Sequence, residues 1–226
     1  MSRRTSVPPS RRKLFLASSN AGKLRELALA SLTLEAPTRP TRARRGRRGA
    51  FPRAGIEAHL LPHFDQLPRF AEGYPSFALN AAGKALHFSR LTKGLVLADD
   101  SGLAVDALGG APGIGSARYA GVGASDADRI GKLLEAMKDL PESLRGARFI
   151  CVLALAQREQ LIALFSDFVE GQILTAPRGR GGFGYDPIFF YVPLKKTFAE
   201  ISRAEKNVVS HRGKAFHRLV AFLRSF

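Results

Sequence analysis

Apolar positions along the chain recur with two different periods, and the switches between them divide it into elements. A short apolar run over residues 13–18 (Lys-Leu-Phe-Leu-Ala-Ser) predicts a first strand. Leucines at 24, 27, 29 and 32 then recur at close to helical spacing and predict a helix over 21–32, with Asn20 at its N-cap. Order resumes around 56–61. Phe77, Leu79, Ala82, Leu86 and Phe88 predict a second helix running to about Leu91, and Ile130, Leu133, Leu134 and Met137 a third over 127–140. Between these helices lie two extended pieces, 95–98 and 103–108, the latter ended by Gly109-Gly110. Runs at 147–156 and 161–169, joined by Gln157-Arg158-Glu159-Gln160, read as an antiparallel hairpin. A glycine-rich stretch at 178–184 follows, and the chain closes with a helix over 210–226 whose apolar face is Ala215, Phe216, Leu219, Val220 and Leu223. Strands and helices interleaved through 226 residues, with no internal repeat, predict an α/β protein with length enough for a sizeable core.

Two segments break this pattern. Residues 1–13 carry five Lys/Arg and residues 36–54 carry seven Arg, with no acidic residue in either. Their Pro, Gly, Thr and Ser bury little apolar surface, so 1–12 is expected to be a disordered basic tail. Residues 36–54 are expected to be a mobile loop within a single domain over 13–226, dispensable for catalysis. The net charge of +16 is thereby localised: without those twelve residues, 23 basic side chains face 19 acidic ones. A uniformly basic nucleic-acid-binding body is excluded, and nucleic-acid contact is left as a side activity of the two segments. No apolar run approaches the roughly 20 residues needed to cross a bilayer, and no secretory core follows the basic start, so no membrane partner and a cytoplasmic location are expected. Cys151, the one cysteine, sits in Phe149-Ile-Cys-Val-Leu-Ala-Leu155 and reads as a small buried hydrophobe.

The chemistry concentrates at the element boundaries. The run 95–98 ends in Asp99-Asp100-Ser101-Gly102, as a buried strand would if it delivered carboxylates to the mouth of a cleft; the alternative is an exposed acidic turn. Adjacent ionised carboxylates ask for a counter-charge such as a divalent cation or a lysine. Ser18-Ser19-Asn20-Ala21-Gly22-Lys23 lies between the first strand and first helix, where N–H groups, hydroxyls and a lysine suit an anion, or where Asn20 simply caps a turn. It is not the Gly-x-x-x-x-Gly-Lys-[Ser/Thr] phosphate loop. Glu72 and Lys84 bracket Ser76–Ala81, each alone an ordinary surface charge. Phe183-Gly184-Tyr185-Asp186-Pro187 places aromatics and a carboxylate on a loosened loop, which suits stacking on a planar base or a tight turn with its rings in the core. Lys206, His211 and Arg212 cluster just before the last helix, where cations oppose the helix dipole and so ask for another reason to be there.

Taken in order, Ser-Ser-Asn-x-Gly-Lys23, Asn80-Ala-x-x-Lys-Ala85, Ala98-Asp-Asp-Ser-Gly-Leu103, Gly110-Ala-Pro-Gly-x-x-Ser-Ala-Arg-Tyr-Ala-Gly121, Gly182-Phe-Gly-Tyr-Asp-Pro187 and Ser210-His-Arg212 resemble the inosine/xanthosine triphosphate pyrophosphatase (Ham1-like) family. The resemblance covers about 13–225 apart from the arginine-rich insert, and departs from the family pattern at Leu79 and Gly115. It implies an elongated two-lobed α/β fold with a long central mixed β-sheet flanked by helices, an active-site cleft between the lobes, and a homodimer. It implies Mg²⁺-dependent hydrolysis of ITP, dITP and XTP to the monophosphate and pyrophosphate. Ser18, Ser19, Asn20, Ala21, Gly22 and Lys23 would hold the triphosphate, assisted by Lys84. Glu72, placed by its offset from Ser76-Phe77, and Asp100 would hold Mg²⁺, and Asp100 would be the general base, with Asp99 the neighbouring acid. Ser101 would touch substrate; Phe183, Gly184, Tyr185, Asp186, Lys206, His211 and Arg212 would form the nucleobase pocket. The competing classes are a nucleic-acid-binding protein gripping phosphates with its arginines and an inactive scaffold of the same fold. Nothing here resembles a helix-turn-helix, zinc or RNA-recognition motif, and the intact Lys23, Asp99-Asp100, Lys206 and His211-Arg212 speak against a scaffold.

Overall fold

The structure, a computed structural model, describes residues 12–18, 20–32 and 56–225. Residues 1–11 of the basic tail and the whole of 36–54 lie outside the described residues, as does Ser19. The elements are strand β1 (Arg12–Leu16), helix α1 (Ala21–Leu32), β2 (Ile56–Leu60), α2 (Phe77–Ser89), β3 (Leu95–Val105), α3 (Asp126–Ala136), β4 (Gly146–Gln157), β5 (Gln160–Ile173), β6 (Phe189–Tyr191), β7 (Lys196–Thr197), α4 (Arg203–Val209) and α5 (His211–Ser225). Seven strands form one sheet in the order β2-β1-β3-β4-β5-β6-β7. β1 pairs parallel with β2 and β3, and every other pair is antiparallel, so the expected mixed sheet flanked by helices is found.

The largest departure from the sequence reading lies in β3. Residues 95–98 and 103–105 belong to one eleven-residue strand that runs through Asp99-Asp100-Ser101-Gly102, and 106–108 is a 3₁₀ turn rather than strand. The carboxylates therefore sit mid-strand, neither at a strand end nor in an exposed turn. Pairing with β4 is continuous from Val96↔Ala156 to Val105↔Ala147, so the strand carries on through the polar stretch; Asp99 meets cations on its own face, whereas Asp100 keeps one oxygen unpartnered. Two other boundaries move. β5 continues past Val169 to Ile173 because β6 pairs with its end, and 203–209 forms a separate helix, α4, begun by a Ser202/Glu205 capping box. Lys206 is therefore itself helical.

The period of two along β3 sorts the core. Leu95 and Leu97 face a cluster with Leu14, Leu27 of α1, Leu153, Leu155, and Phe216 and Leu219 of α5. Val96 and Ala98 face the other side, against Ala81, Ala85 and Phe88 of α2. Beyond the polar stretch, Leu103 and Val105 join a third cluster with Ile130 and Leu133 of α3, Met137 just past its end, and Phe149, Phe189 and Phe198. Asp99 through Ser101 thus occupy the part of the strand between apolar clusters, with helices on both faces. Cys151 is fully buried in the first cluster, as its apolar run predicts, and burial pushes its thiol up, away from nucleophilic use.

Gly102 fixes how the Pro112–Tyr119 segment lies on β3. A methyl at that position would run into the Gly113 carbonyl oxygen, Ser116 Oγ and the Phe77 ring. Backbone cannot yield as a flexible side chain would, so Gly102→Ala should destabilise by about 2–3 kcal/mol, a fall in melting temperature of about 5–10 °C in a calorimetric scan.

Candidate active site

The β1–α1 junction begins the site. Ser18 Oγ accepts the Asn20 N–H at 3.2 Å, and Asn20 Oδ1 accepts the Lys23 N–H at 3.0 Å, so Asn20 is the predicted cap. Lys23, one turn into α1, reaches Asp99 Oδ1 at 2.6 Å. Ala21 contributes its backbone to the first turn, and Gly22 is buried beneath the Phe183 ring, where a methyl would lie 2.7 Å from ring carbons. That close approach brings the glycine-rich loop onto the phosphate-type turn.

Asp99, alternating with Leu97, faces α1 and α5. Its Oδ2 lies 3.3 Å from Arg212 Nε, accepts from Ser101 Oγ at 3.1 Å and is 3.9 Å from Cys151 Sγ. Burial alone would raise its carboxyl, but Lys23 and Arg212 outweigh burial and hold it well below the usual carboxylate range. Arg212 also donates to Ser101 Oγ at 2.8 Å and pairs with Glu26, while Lys206 bridges Glu26 at 2.6 Å and Asp186 at 2.5 Å. Burial raises Glu26 as well, and again the cations Arg212 and Lys206 overcome it and keep the group ionised.

Asp100, alternating with Ala98, faces the α2 side. Its Oδ1 accepts its neighbour's N–H, from Ser101, at 3.1 Å, and its Oδ2 is buried with no hydrogen-bond partner. Burial, aided by the Glu72 and Asp99 charges and opposed by Lys23 and Lys84, pushes its carboxyl up to about 6. Glu72 pairs with Lys84 and lies 3.6 Å from Arg118, and Lys84 also donates to the Asp99 carbonyl at 3.2 Å. Among the described residues no three His, Cys, Asp or Glu side chains converge on one point. The donors that fit a hard divalent cation are the unpartnered Asp100 Oδ2 and the Glu72 carboxylate, a set that leaves remaining positions to water and phosphate oxygens.

On the Asp99 side of β3 a cavity is lined by Asn20, Lys23, Ser101, Phe183, Lys206 and Arg212, with Gly184, Tyr185, Asp186 and His211 completing its walls. Phe183 lies over the Lys206 ammonium at 4.7 Å and the Arg212 guanidinium at 5.7 Å. His211 stacks on Phe149 with centroids 4.8 Å apart and planes within 9°; burial and the Arg212 and Lys206 charges keep it neutral, and its Nδ1 has no partner. Asp186 turns inward to Lys206 and accepts the Phe183 N–H at 2.9 Å, and the buried Tyr185 hydroxyl donates to the Ser116 carbonyl at 2.9 Å. Those two residues hold the loop. Ser18, Glu72, Lys84 and Asp100 are not among the residues lining this cavity.

Sequence reading missed Glu26, Asp126, Arg129, Ser116 and Phe149 as site residues. Glu26 was legible in principle: it follows Lys23 by one turn on the same helix, where i and i+3 are neighbours. Phe149 and Ser116 carry no such signal, since an apolar strand residue and a turn serine are ordinary until the fold brings them to His211 and Tyr185.

The lone Asp100 carboxylate has a thermodynamic consequence. Its folded-state pKa lies above the unfolded value, so ionisation costs the folded state nothing below about pH 4, increasingly between pH 4 and 6, and a constant amount above. With divalent metal chelated, Asp100→Asn should therefore be more stable than the parent by about 2 kcal/mol at pH 7.5 and equal to it near pH 4. Denaturant midpoints at the two pH values measure the difference.

Comparison with known proteins shows the family. The Ham1 family model matches residues 14–222. A dITP/XTP pyrophosphatase of Geobacillus kaustophilus is 43% identical over 208 residues, 92% of each chain, and that of Yersinia pseudotuberculosis is 42% identical over 216 residues, 94% of this chain and 98% of its own. Among solved structures, a HAM1 protein from Coxiella burnetii superposes with a TM-score of 0.78 at 38% identity, over 95% of this chain and all of that one. The Staphylococcus aureus Ham1 protein does so with a TM-score of 0.76 at 32% identity, over 95% and 99%. With sequence and fold in agreement over nearly the whole length, this chain belongs to the Ham1 family.

Proposed function

We propose that this chain is a nucleoside triphosphate pyrophosphatase that hydrolyses dITP, ITP and XTP to the monophosphate and pyrophosphate, with Mg²⁺ held by Asp100 and Glu72. The relatives named dITP/XTP pyrophosphatase support the reaction class. The observation that carries the reading is the buried Asp100 Oδ2, partnerless on one face of a strand whose other face opens into a cavity walled by cationic donors.

In this reading Lys23, the N–H groups at the start of α1 and Lys84 hold phosphate oxygens. Bound Mg²⁺ supplies neutralisation of charge on the triphosphate. Asp100, whose carboxylate would also hold the Mg²⁺, takes the proton of the attacking water. The water oxygen bonds to the α-phosphorus as the bond to the α–β bridging oxygen breaks, and pyrophosphate leaves. Lys206, Arg212 and the neutral His211 read the base. Donors aimed at a 6-carbonyl are left unpaired by a 6-amino group, which disfavours ATP. A homodimer belongs to the same reading, supported by the half-exposed apolar side chains Leu164 and Phe168 on β5. So does a cytoplasmic setting: no helix among the described residues is long and apolar enough to cross a membrane.

The test is pyrophosphate release from a nucleotide panel with and without Mg²⁺. ITP, dITP and XTP should be cleaved up to about 10⁴-fold more efficiently than ATP. Activity should vanish with chelator, and Asp100→Asn should lower kcat at least about 100-fold without unfolding the protein. Equal turnover of ATP and ITP, or orthophosphate as product, would sink the reading.

A further inference from the structure

Asp126 is the first residue of α3, yet the helix does not need it as a cap. Ser125, the residue before it, and Asp128, two residues after it, form a complete capping box. The Asp126 carboxylate is turned elsewhere. Its Oδ2 accepts the Gly184 N–H at 2.7 Å, across 58 residues of chain, and its Oδ1 pairs with Arg129. Arg129 in turn donates to the Ala124 carbonyl at 2.6 Å and the Ala117 carbonyl at 3.2 Å. Both side chains line the same cavity as Phe183, Lys206 and Arg212.

Three separate pieces are joined this way: the start of α3, the turn over 117–124, and the loop that carries Phe183. Tyr185 to Ser116 anchors the loop two residues past Phe183, and Asp186 binds it from within. Asp126 is the charged side chain from another element that holds the residue next to Phe183. Gly184 has φ +62°, so the peptide there is free to turn unless something fixes its N–H.

We propose that Asp126, with Arg129 as its counter-ion, is a positioning residue for base recognition: by holding the Gly184 N–H it fixes where the Phe183 ring sits against Lys206 and Arg212 in the wall of the cavity that takes the base. The assignment rests on the purine triphosphate reading above. It acts on the base side of β3, whereas Asp100 faces the other side, so binding of the base should change and the chemical step should not. An interaction lost equally from ground and transition states raises KM with kcat unchanged. The Asp126 side chain is 44% exposed, which places the effect at the modest end for a charge-assisted bond.

Asp126→Ala should raise KM for dITP about tenfold with kcat within about twofold, and weaken IMP binding about tenfold in calorimetry while leaving pyrophosphate binding unchanged. Arg129→Ala should move the same quantities in the same direction by about threefold. The chain contains no tryptophan, so Phe183→Trp places a single reporter on the loop. In that background Asp126→Ala should red-shift the emission and lower its anisotropy, with far-UV circular dichroism unchanged. Unaltered emission and IMP affinity in Asp126→Ala would overturn the proposal, as would an equal loss of pyrophosphate affinity and kcat, which marks general damage. A parent enzyme that neither cleaves dITP nor binds IMP refutes the purine reading itself, and the emission comparison still decides whether Asp126 fixes the loop.

Discussion

Asp99 carries a negative charge to a position almost without solvent, and the groups that make this tolerable hold the site in one arrangement. Lys23 comes from α1, Arg212 from α5 and Ser101 from β3 itself; Arg212 then needs Glu26, Glu26 shares Lys206, and Lys206 needs Asp186. Each member is buried enough that losing its partner would leave an uncompensated charge, a loss of about 3–5 kcal/mol. The chain of pairs therefore fixes two helix starts, a strand and a loop relative to one another. Replacing the whole set by apolar side chains could be as stable, so its retention points to what the arrangement does rather than to how much it stabilises.

Asp100 shows the opposite condition one residue away. The alternation that sends Asp99 to the cations sends Asp100 to the α2 side, where its Oδ2 has no partner and its neighbours include another carboxylate, Glu72. Back-to-back placement on a strand gives Asp99 the close ion pairs with Lys23 and Arg212, while Lys23 and Lys84 act on Asp100 only through their charge. One is neutralised by protein; the other is left for something the protein does not supply. A strand that ended at Ala98 would have put both in one turn and blurred this division.

Much of this was legible in the residues, for identifiable reasons. Helical spacing located α1, α2, α3 and α5 because each has a clear apolar face, and Asn20 was readable as a cap because the side chain and spacing suit one. β3 was misread because hydrophobicity is a poor guide to a strand whose middle is polar; what holds it is pairing with β4, whose residues lie 42 to 60 positions further on. The donors Lys206, His211 and Arg212 were found as a cluster, but their partner Glu26 was not, since nothing local links it to residues about 180 positions later. Asp126 lies just before the helix expected over 127–140 and drew no reading, and only the contact with Gly184 shows its use.

The charges in the described site also bear on why a cation belongs in it. Lys23, Lys84, Arg118, Lys206 and Arg212 face Glu26, Glu72, Asp99, Asp100 and Asp186, and the two sets balance in number. Attraction by net charge alone therefore does little for a triphosphate. Protonating Asp100 would free one positive charge, but it would also remove the base that takes a proton from water. On the proposed reading, Asp100 and Glu72 would resolve that conflict by holding a divalent ion, which would keep Asp100 ionised and add positive charge beside the phosphate oxygens. The residue whose burial costs the empty protein would then be the one whose cost is relieved when metal and nucleotide bind.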